Sequence, residues 1–270
     1  MNLGEWREAA ATRLARAGIE SAGLEADLLA AHALGRDRSW VLAHPGALAP
    51  KRLESFLQRR LKREPLAYIL GWREFFGRRF AVRPGVLVPR QETETLIEAA
   101  LDGMGGNVLD VGTGSGCLAV TLKLERPNWF VAACDISPTA VRVARENART
   151  LGAIVIVKQG DLFEPFRGTK FGVVVCNPPY IDPSSRLMPE VGEWEPPEAL
   201  FAKEGGLAVY RRLAEEAPEH MMGWGRLIVE LGDGMVEPVK ALFEARGWEL
   251  TAMRPDLGGT PRAAVFQLSG

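Results

Sequence analysis

The run Asn107-Val108-Leu109-Asp110-Val111 passes directly into Gly112-Thr113-Gly114-Ser115-Gly116 and then into Cys117-Leu118-Ala119-Val120. Few folds accommodate that order. The short β-branched run specifies a buried strand, and glycines at alternate positions allow a tight turn and a close backbone approach to a ligand. The apolar segment that follows opens a helix, whose unpaired N–H groups and positive dipole end face the same point. The alternation continues downstream with a strand ending at Asp135, a helix from about Ser137 to Leu151, Ile154-Val155-Ile156-Val157, and Phe171-Gly172-Val173-Val174-Val175-Cys176. Further strands are expected at Arg226-Leu227-Ile228-Val229-Glu230 and Ala263-Ala264-Val265-Phe266-Gln267-Leu268. Strands alternating with helices imply an α/β fold, a doubly wound and mostly parallel sheet covered by helices on both faces.

Ligand-facing residues of such a sheet gather at the carboxyl ends of its strands. The glycine spacing is G-x-G-x-G, whereas a dinucleotide site prefers G-x-G-x-x-G, so the turn alone is also compatible with a plain strand-to-helix connection. Asp135 adds to it. A carboxylate at the tip of the second strand, about twenty residues after the glycines, is the usual partner of a ribose diol. Gln159-Gly160-Asp161-Leu162-Phe163 follows the next strand, where it can flank an adenine. The strand ending at Cys176 then stops abruptly in Asn177-Pro178-Pro179-Tyr180. Proline fixes φ, removes a backbone donor and holds the preceding residue extended. An Asn side-chain oxygen and a neighbouring carbonyl form an acceptor pair for a planar –NH2 group, with the Tyr ring available to stack on it. Such a set suits an amide or exocyclic amine better than a carboxylate.

The first part of the chain is of another kind. Leu3, Trp6, Ala10, Leu14 and Ala17 recur at helical spacing up to Gly18, and Leu24, Leu28, Leu29 and His32 mark a second helix that stops at Gly35. A short third helix holds Trp40, Val41 and Leu42, and a fourth after Pro50 buries Leu53, Phe56, Leu57 and Leu61. Short helices with brief turns make a small bundle. From Trp72 to Val88, aromatics and valines mix with arginines around Gly77 and Pro84-Gly85, the pattern of a β-hairpin. The expected organisation is a helical domain at 1–71, a β-hairpin linker at 72–90 and an α/β domain at 91–270.

Composition excludes several classes. Charged residues at 25% and hydrophobic residues at 47% are ordinary for a globular chain. No apolar stretch approaches the roughly 18–20 residues that span a bilayer. The amphipathic start of the chain carries no basic-then-apolar leader, so a cytoplasmic location is expected. Cys117, Cys134 and Cys176 lie far apart with no histidine at metal spacing; they read as small buried hydrophobes, and no metal is expected. His32, His44 and His220 are isolated from the motifs, so nucleophile–histidine chemistry has no support. The net charge of −1 conceals an asymmetry: residues 1–80 carry 14 Lys+Arg against 9 Asp+Glu, and the remainder 19 against 25. Distinct partner surfaces account for it, and so does a solvated helix face carrying Arg59, Arg60, Lys62 and Arg63.

Together the loop from Asp110 to Gly116, Asp135 and Asn177-Pro178-Pro179-Tyr180 resemble the class I methyltransferases that use S-adenosylmethionine to methylate planar nitrogens. Ala67-Tyr68-Ile69-Leu70-Gly71-Trp72-Arg73-Glu74-Phe75-Phe76-Gly77 and Val86-Leu87-Val88-Pro89-Arg90-Gln91-Glu92-Thr93-Glu94 narrow the resemblance to the HemK/PrmC family. So does Glu193-Trp194-Glu195-Pro196-Pro197-Glu198-Ala199-Leu200, and the likeness runs over nearly the whole chain. Gln91 departs from it, standing where the family more often has proline. The resemblance implies a seven-stranded sheet with one antiparallel strand, S-adenosylmethionine as cofactor and S-adenosylhomocysteine as product. It implies methylation of the glutamine in the Gly-Gly-Gln motif of class 1 peptide chain release factors, with no membrane and no direct nucleic-acid partner. Asp110, Gly112, Thr113, Gly114, Ser115, Gly116, Asp135, Asp161, Leu162 and Asn177 are then expected at the cofactor. Asn177, Pro178, Pro179 and Tyr180 are expected at the reacting amide as catalytic and substrate-binding residues. Arg90 is expected at the substrate rim; Glu92 and Glu94 read either as part of that rim or as the acidic start of a helix complementing its dipole, Glu94 rather as the latter. The helical domain is expected in substrate recognition.

Two other readings use the same residues. An adenine or guanine amino-methyltransferase grips an exocyclic amine with the same tip but needs a basic track for phosphates, and the chain after Phe80 is net acidic. A nicotinamide-dependent dehydrogenase would use Asp135 in the same way, but not this glycine spacing or Asn-Pro-Pro-Tyr. The loop at 181–203, with Glu190, Glu193, Glu195 and Glu198, is long for a plain connection and directly follows the tip, as lids and partner-binding surfaces do.

Overall fold

A computed structural model describes residues 1–269. The chain forms two units, one of Met1–Trp72 together with Leu187–Trp194, the other of Arg73–Arg186 and the chain from Glu195 onward.

The first unit contains helices α1 (Leu3–Arg16), α2 (Ala22–Leu34), α3 (Arg38–Ala43), α4 (Arg52–Leu61) and α5 (Leu66–Leu70). Asn2 and Glu5 close the start of α1 as a reciprocal capping box; such caps contribute about 1 kcal/mol. Its core joins Leu3, Trp6, Ala10 and Leu14 of α1 to Ala26, Leu29 and Ala30 of α2, Val41, Leu53 and Leu57. Leu24 is not part of it: the side chain is exposed, and α2 buries Ala22, Ala26, Leu29, Ala30 and Ala33 instead. The mostly small side chains on that face let neighbouring helices approach closely.

The arginines in the basic run at the end of α4 are paired, while Lys62 is exposed. Arg60 is buried and pairs with Glu25 and Glu190, Arg59 pairs with Glu64, and Arg63 reaches Glu190 and the Ala17 carbonyl. Glu190 lies on the helical turn Pro189–Gly192.

The second unit begins with a hairpin of β1 (Trp72–Phe75) and β2 (Arg78–Ala81). Phe76 and Gly77 turn it, both at positive φ (49° and 69°), the backbone that a two-residue hairpin turn requires. After α6 (Glu94–Leu101) come β3 (Asn107–Val111), α7 (Cys117–Glu125), β4 (Phe130–Asp135), α8 (Pro138–Leu151), β5 (Ile156–Gln159), β6 (Phe171–Cys176), β7 (Met221–Glu230), β8 (Trp248–Pro255) and β9 (Pro261–Leu268). The sheet order is β5-β4-β3-β6-β7-β9-β8, with β9 antiparallel to both its neighbours and the other pairs parallel. This is the expected seven-stranded sheet with one antiparallel strand.

Both faces are covered. Val173 and Val175 of β6 join one core with Leu96, Leu118 and Val141, while Val174 and Cys176 join another with Tyr210, Leu213 and Phe243. The alternation along one strand is what a sheet buried on two sides requires. Because α8 closes on Gly152 in the left-handed region, β5 starts at Ile156 and leaves Ile154 exposed, two residues later than the sequence pattern suggests. The order of strands reverses between β3 and β6, and a cleft opens at the carboxyl ends of the strands flanking that switch point.

Candidate active site

The glycine turn forms one wall of this cleft. Gly112 and Gly114 have φ of 70° and 55°, and a Cβ built on either would meet nothing within 4 Å, so both open onto free space. Gly116 differs. Its Cβ would stand 3.0 Å from Ala144, so it serves the close approach of α7 to α8 and does not line the cleft. Asn147 of α8 braces the same turn by donating to the Ser115 carbonyl and exchanging hydrogen bonds with Ala81.

Asp110 also lies behind the cleft. Its carboxylate is fully buried, and Oδ2 accepts from Thr113 Oγ1 at 2.5 Å and from the Ala119 N–H at 3.1 Å. Burial pushes its pKa to about 7, against the pull of those two hydrogen bonds. Asp110 Oδ1 and Ser115 Oγ are buried with no partner among the described residues. Unmatched polar atoms beneath a glycine turn are capacity that a bound polar group or an ordered water satisfies.

Asp135 projects from the tip of β4. Oδ2 accepts from the Gly114 N–H and Oδ1 from the Ser137 N–H, both at 2.8 Å, so one carboxylate ties the turn to the start of α8. Burial raises its pKa, against those two bonds. Each oxygen keeps a lone pair for a donor in the cleft. Asp161 and Leu162 line the far side, with Leu162 at an unusual φ of 43° and Asp161 paired at 3.0 Å with Arg212. Arg212, on the helix Ala208–Glu216, lines the cleft as well.

Asn177, Pro178 and Pro179 line the cleft at the end of β6. Asn177 Nδ2 donates to Thr93 Oγ1 at 3.1 Å, and Thr93 Oγ1 donates to Glu230 Oε2 at 2.6 Å. Thr93 stands at the N-cap position of α6 but in helical conformation (φ −65°, ψ −17°), and its hydroxyl makes no capping bond. Glu230, the last residue of β7, is buried, and burial pushes its pKa to about 7. Neither Thr93 nor Glu230 stands out in the sequence reading of the site.

Tyr180 departs from the expected stacking position. It does not line the cleft: its ring lies where a Cβ on Gly232 would come within 2.6 Å of it, and its hydroxyl donates to Glu230 Oε1 at 3.3 Å. Arg90 does line the cleft, held by Glu195 Oε1 at 2.5 Å, while Glu195 Oε2 accepts from the Val88 N–H at 3.0 Å. Glu195 is buried and comes from the long loop after the tip, which closes on itself where Ile181 bonds Leu200 and Ala202. Glu94 is turned away to accept from the Phe76 N–H. The three cysteines are buried, and burial raises every thiol pKa, so none is a poised nucleophile.

This sheet, with a glycine turn, a β4 carboxylate and the Asn177-Pro178-Pro179 tip around one cleft, defines a class I S-adenosylmethionine-dependent methyltransferase. A crystal structure of a methyltransferase from Pyrococcus furiosus shares the fold, with a TM-score of 0.56 and 20% identity, covering 72% of this chain and 90% of that one. Residues 5–71 match the family described as PrmC N-terminal domain, and residues 89–190 that described as Methyltransferase small domain. Among curated relatives, a release factor glutamine methyltransferase from Cereibacter sphaeroides is 42% identical, covering 99% of both chains. One from Geobacter sulfurreducens is also 42% identical, over 87% of this chain and 86% of the relative. The chain belongs to the release factor glutamine methyltransferase family. No helix among the described residues is long and apolar enough to cross a membrane.

Proposed function

We propose that this protein methylates the side-chain amide nitrogen of the glutamine in the Gly-Gly-Gln motif of class 1 peptide chain release factors, using S-adenosylmethionine. The observation that carries the reading is the commitment of Asn177 Nδ2 to Thr93. It leaves Oδ1, an acceptor, for a ligand in the cleft, which is what an incoming –NH2 group needs.

The residues present fit the cofactor. The open faces of Gly112 and Gly114 leave room for it, and the Asp135 carboxylate suits a ribose diol. Asp161 and Leu162 would hold the adenine end, and the unmatched Ser115 Oγ at the cleft supplies polar capacity at the turn. Bound there, S-adenosylmethionine supplies a methyl group already activated by its sulfonium.

The protein's part is therefore positioning. Amide nitrogen is a poor nucleophile because its lone pair is delocalised into the carbonyl. Asn177 Oδ1 and the Pro178 carbonyl grip the two hydrogens of the substrate –NH2 and favour the pyramidal geometry in which the lone pair points into the cleft. An interaction that strengthens as the nitrogen pyramidalises lowers the barrier more than it tightens substrate binding. Pro178 and Pro179 hold the tip rigid, Tyr180 anchors it to Glu230, and Arg90 lies at the substrate rim. The helical unit supplies contacts with the factor beyond the glutamine, because one side chain offers too little surface for specificity.

The test is transfer of label from S-adenosylmethionine to a purified release factor carrying its Gly-Gly-Gln glutamine or a replacement. Label is expected in the intact factor alone; equal labelling of both, or none, refutes the reading.

A further inference from the structure

We propose that Glu230 sets the orientation of the Asn177 side-chain amide through the Thr93 hydroxyl, as a positioning residue for the transfer; this rests on the reading of the site given above. The polarity of the relay runs one way. Above about pH 7, where Glu230 is ionised, its carboxylate only accepts, so Oε2 takes the Thr93 proton at 2.6 Å. A hydroxyl that has given its proton to one neighbour can only accept from the other, and it takes a hydrogen of Asn177 Nδ2 at 3.1 Å. The amide is thus held with its –NH2 inward and its carbonyl toward the cleft. Tyr180 donates to the other carboxylate oxygen at 3.3 Å, so both oxygens of Glu230 are engaged as acceptors.

Nothing in the fold alone calls for this arrangement. Thr93 enters α6 with helical backbone angles (φ −65°, ψ −17°), so its hydroxyl is not used as a helix cap and is committed to Asn177 and Glu230. A buried carboxylate at the end of an apolar strand is costly unless its charge is used. An amide in place of Glu230 reverses the logic. Its –NH2 can donate to Thr93 Oγ1, the Thr93 proton then turns to Asn177, and the stable partner becomes Asn177 Oδ1. The Asn177 –NH2 would then face the cleft, donor against donor.

The experiment uses full-length protein carrying Glu230→Gln, Thr93→Val or Thr93→Ser, with Asn177→Ala identifying the Asn177 side-chain amide in 15N NMR spectra. Glu230→Gln and Thr93→Val are expected to move that amide signal. Both should lower kcat at least about tenfold while changing KM and cofactor affinity less than about threefold, the pattern of an interaction realised in the transition state. Thr93→Ser keeps the hydroxyl and should return the amide signal and most of the turnover that Thr93→Val loses. In the Asn177→Ala background, Glu230→Gln should cost nothing further, because the relay acts only through that amide. An Asn177 signal indifferent to both Glu230→Gln and Thr93→Val overturns the proposal, as does full additivity of Glu230→Gln with Asn177→Ala. The spectra need no substrate, so a wild-type protein that leaves release factors unmethylated refutes the function and not the relay.

Discussion

Replacing Asp135 with alanine should cost stability and cofactor affinity together, because one carboxylate serves both. Its oxygens each accept a backbone N–H at 2.8 Å, from Gly114 and from Ser137. A hydrogen bond to a charged group contributes about 1.5–3 kcal/mol net, and water replaces part of that at a half-buried site. A loss of roughly 2–3 kcal/mol is therefore expected, or about 4–12 °C in Tm at the roughly 2–4 °C per kcal/mol of a chain this size. Loss of a diol contact to the same charge weakens cofactor binding by about 1.5–3 kcal/mol, a rise of roughly 10- to 150-fold in Kd. Asp135→Asn separates the two effects. Its carbonyl still accepts one N–H while its –NH2 confronts the other, so it should recover part of the Tm and little of the affinity. Thermal unfolding and titration calorimetry with S-adenosylmethionine, run below the variants' unfolding range, give both numbers. A wild-type Tm for Asp135→Ala would refute the bracing role, and a wild-type Kd would remove Asp135 from the cofactor site.

Asn177→Ala should reduce methyl transfer at least about a hundredfold, as when one preorganised polar contact is lost, with much less effect on cofactor binding; near wild-type turnover would defeat the amide-gripping mechanism. Glu195→Ala strips Arg90 and the buried Val88 N–H of their acceptor. It should lower stability by about 2–3 kcal/mol and raise KM for the release factor, while cofactor affinity stays within about threefold; an unchanged KM would take Arg90 out of substrate binding. Asp110 and Glu230, both raised to about 7 by burial, give a pH signature. The unfolded chain releases these protons in the ordinary carboxylate range and the folded chain only near pH 7, so their contribution to stability is full at low pH and lost as pH rises to about 7. Urea midpoints of wild type relative to Glu230→Gln should fall across that interval, and a constant difference would show that Glu230 does not titrate as its burial dictates.

Local pattern made the cleft legible and its supports invisible. The glycine turn, Asp135 and Asn177-Pro178-Pro179-Tyr180 each announce themselves within a few residues, because a turn, a strand tip or a rigid proline pair is a local object. Thr93 and Glu230 acquire their meaning from partners 84 and 137 positions apart in the chain, and Glu195 from Arg90 across 105. One local signal did exist: Glu230 is a lone charge closing the apolar run Leu227-Ile228-Val229, at the sheet edge where the other ligand-facing residues lie. Elsewhere the pattern misled for identifiable reasons. Alanines do the packing in α2, so the larger Leu24 drew the periodicity to the wrong face. Strand β8 lies at the edge of the sheet, where only Trp248 is buried and little alternation remains to read. Gly116 looked like its two neighbouring glycines, and only the packed helix beside it reveals the different duty.

The helical unit is assembled from two separated stretches of the chain, the second being Leu187–Trp194. Glu190 lies 130 residues after Arg60 and 127 after Arg63. During synthesis at about 5–20 residues per second, the first helices leave the ribosome roughly 6–25 s before their last piece exists. Through that interval Arg60, buried in the finished unit, has Glu25 as its one carboxylate partner, and Arg63 has only the Ala17 carbonyl. The nascent bundle must wait in an unfinished form, so substitutions at Glu25 should damage yield from the ribosome more than they damage the finished enzyme.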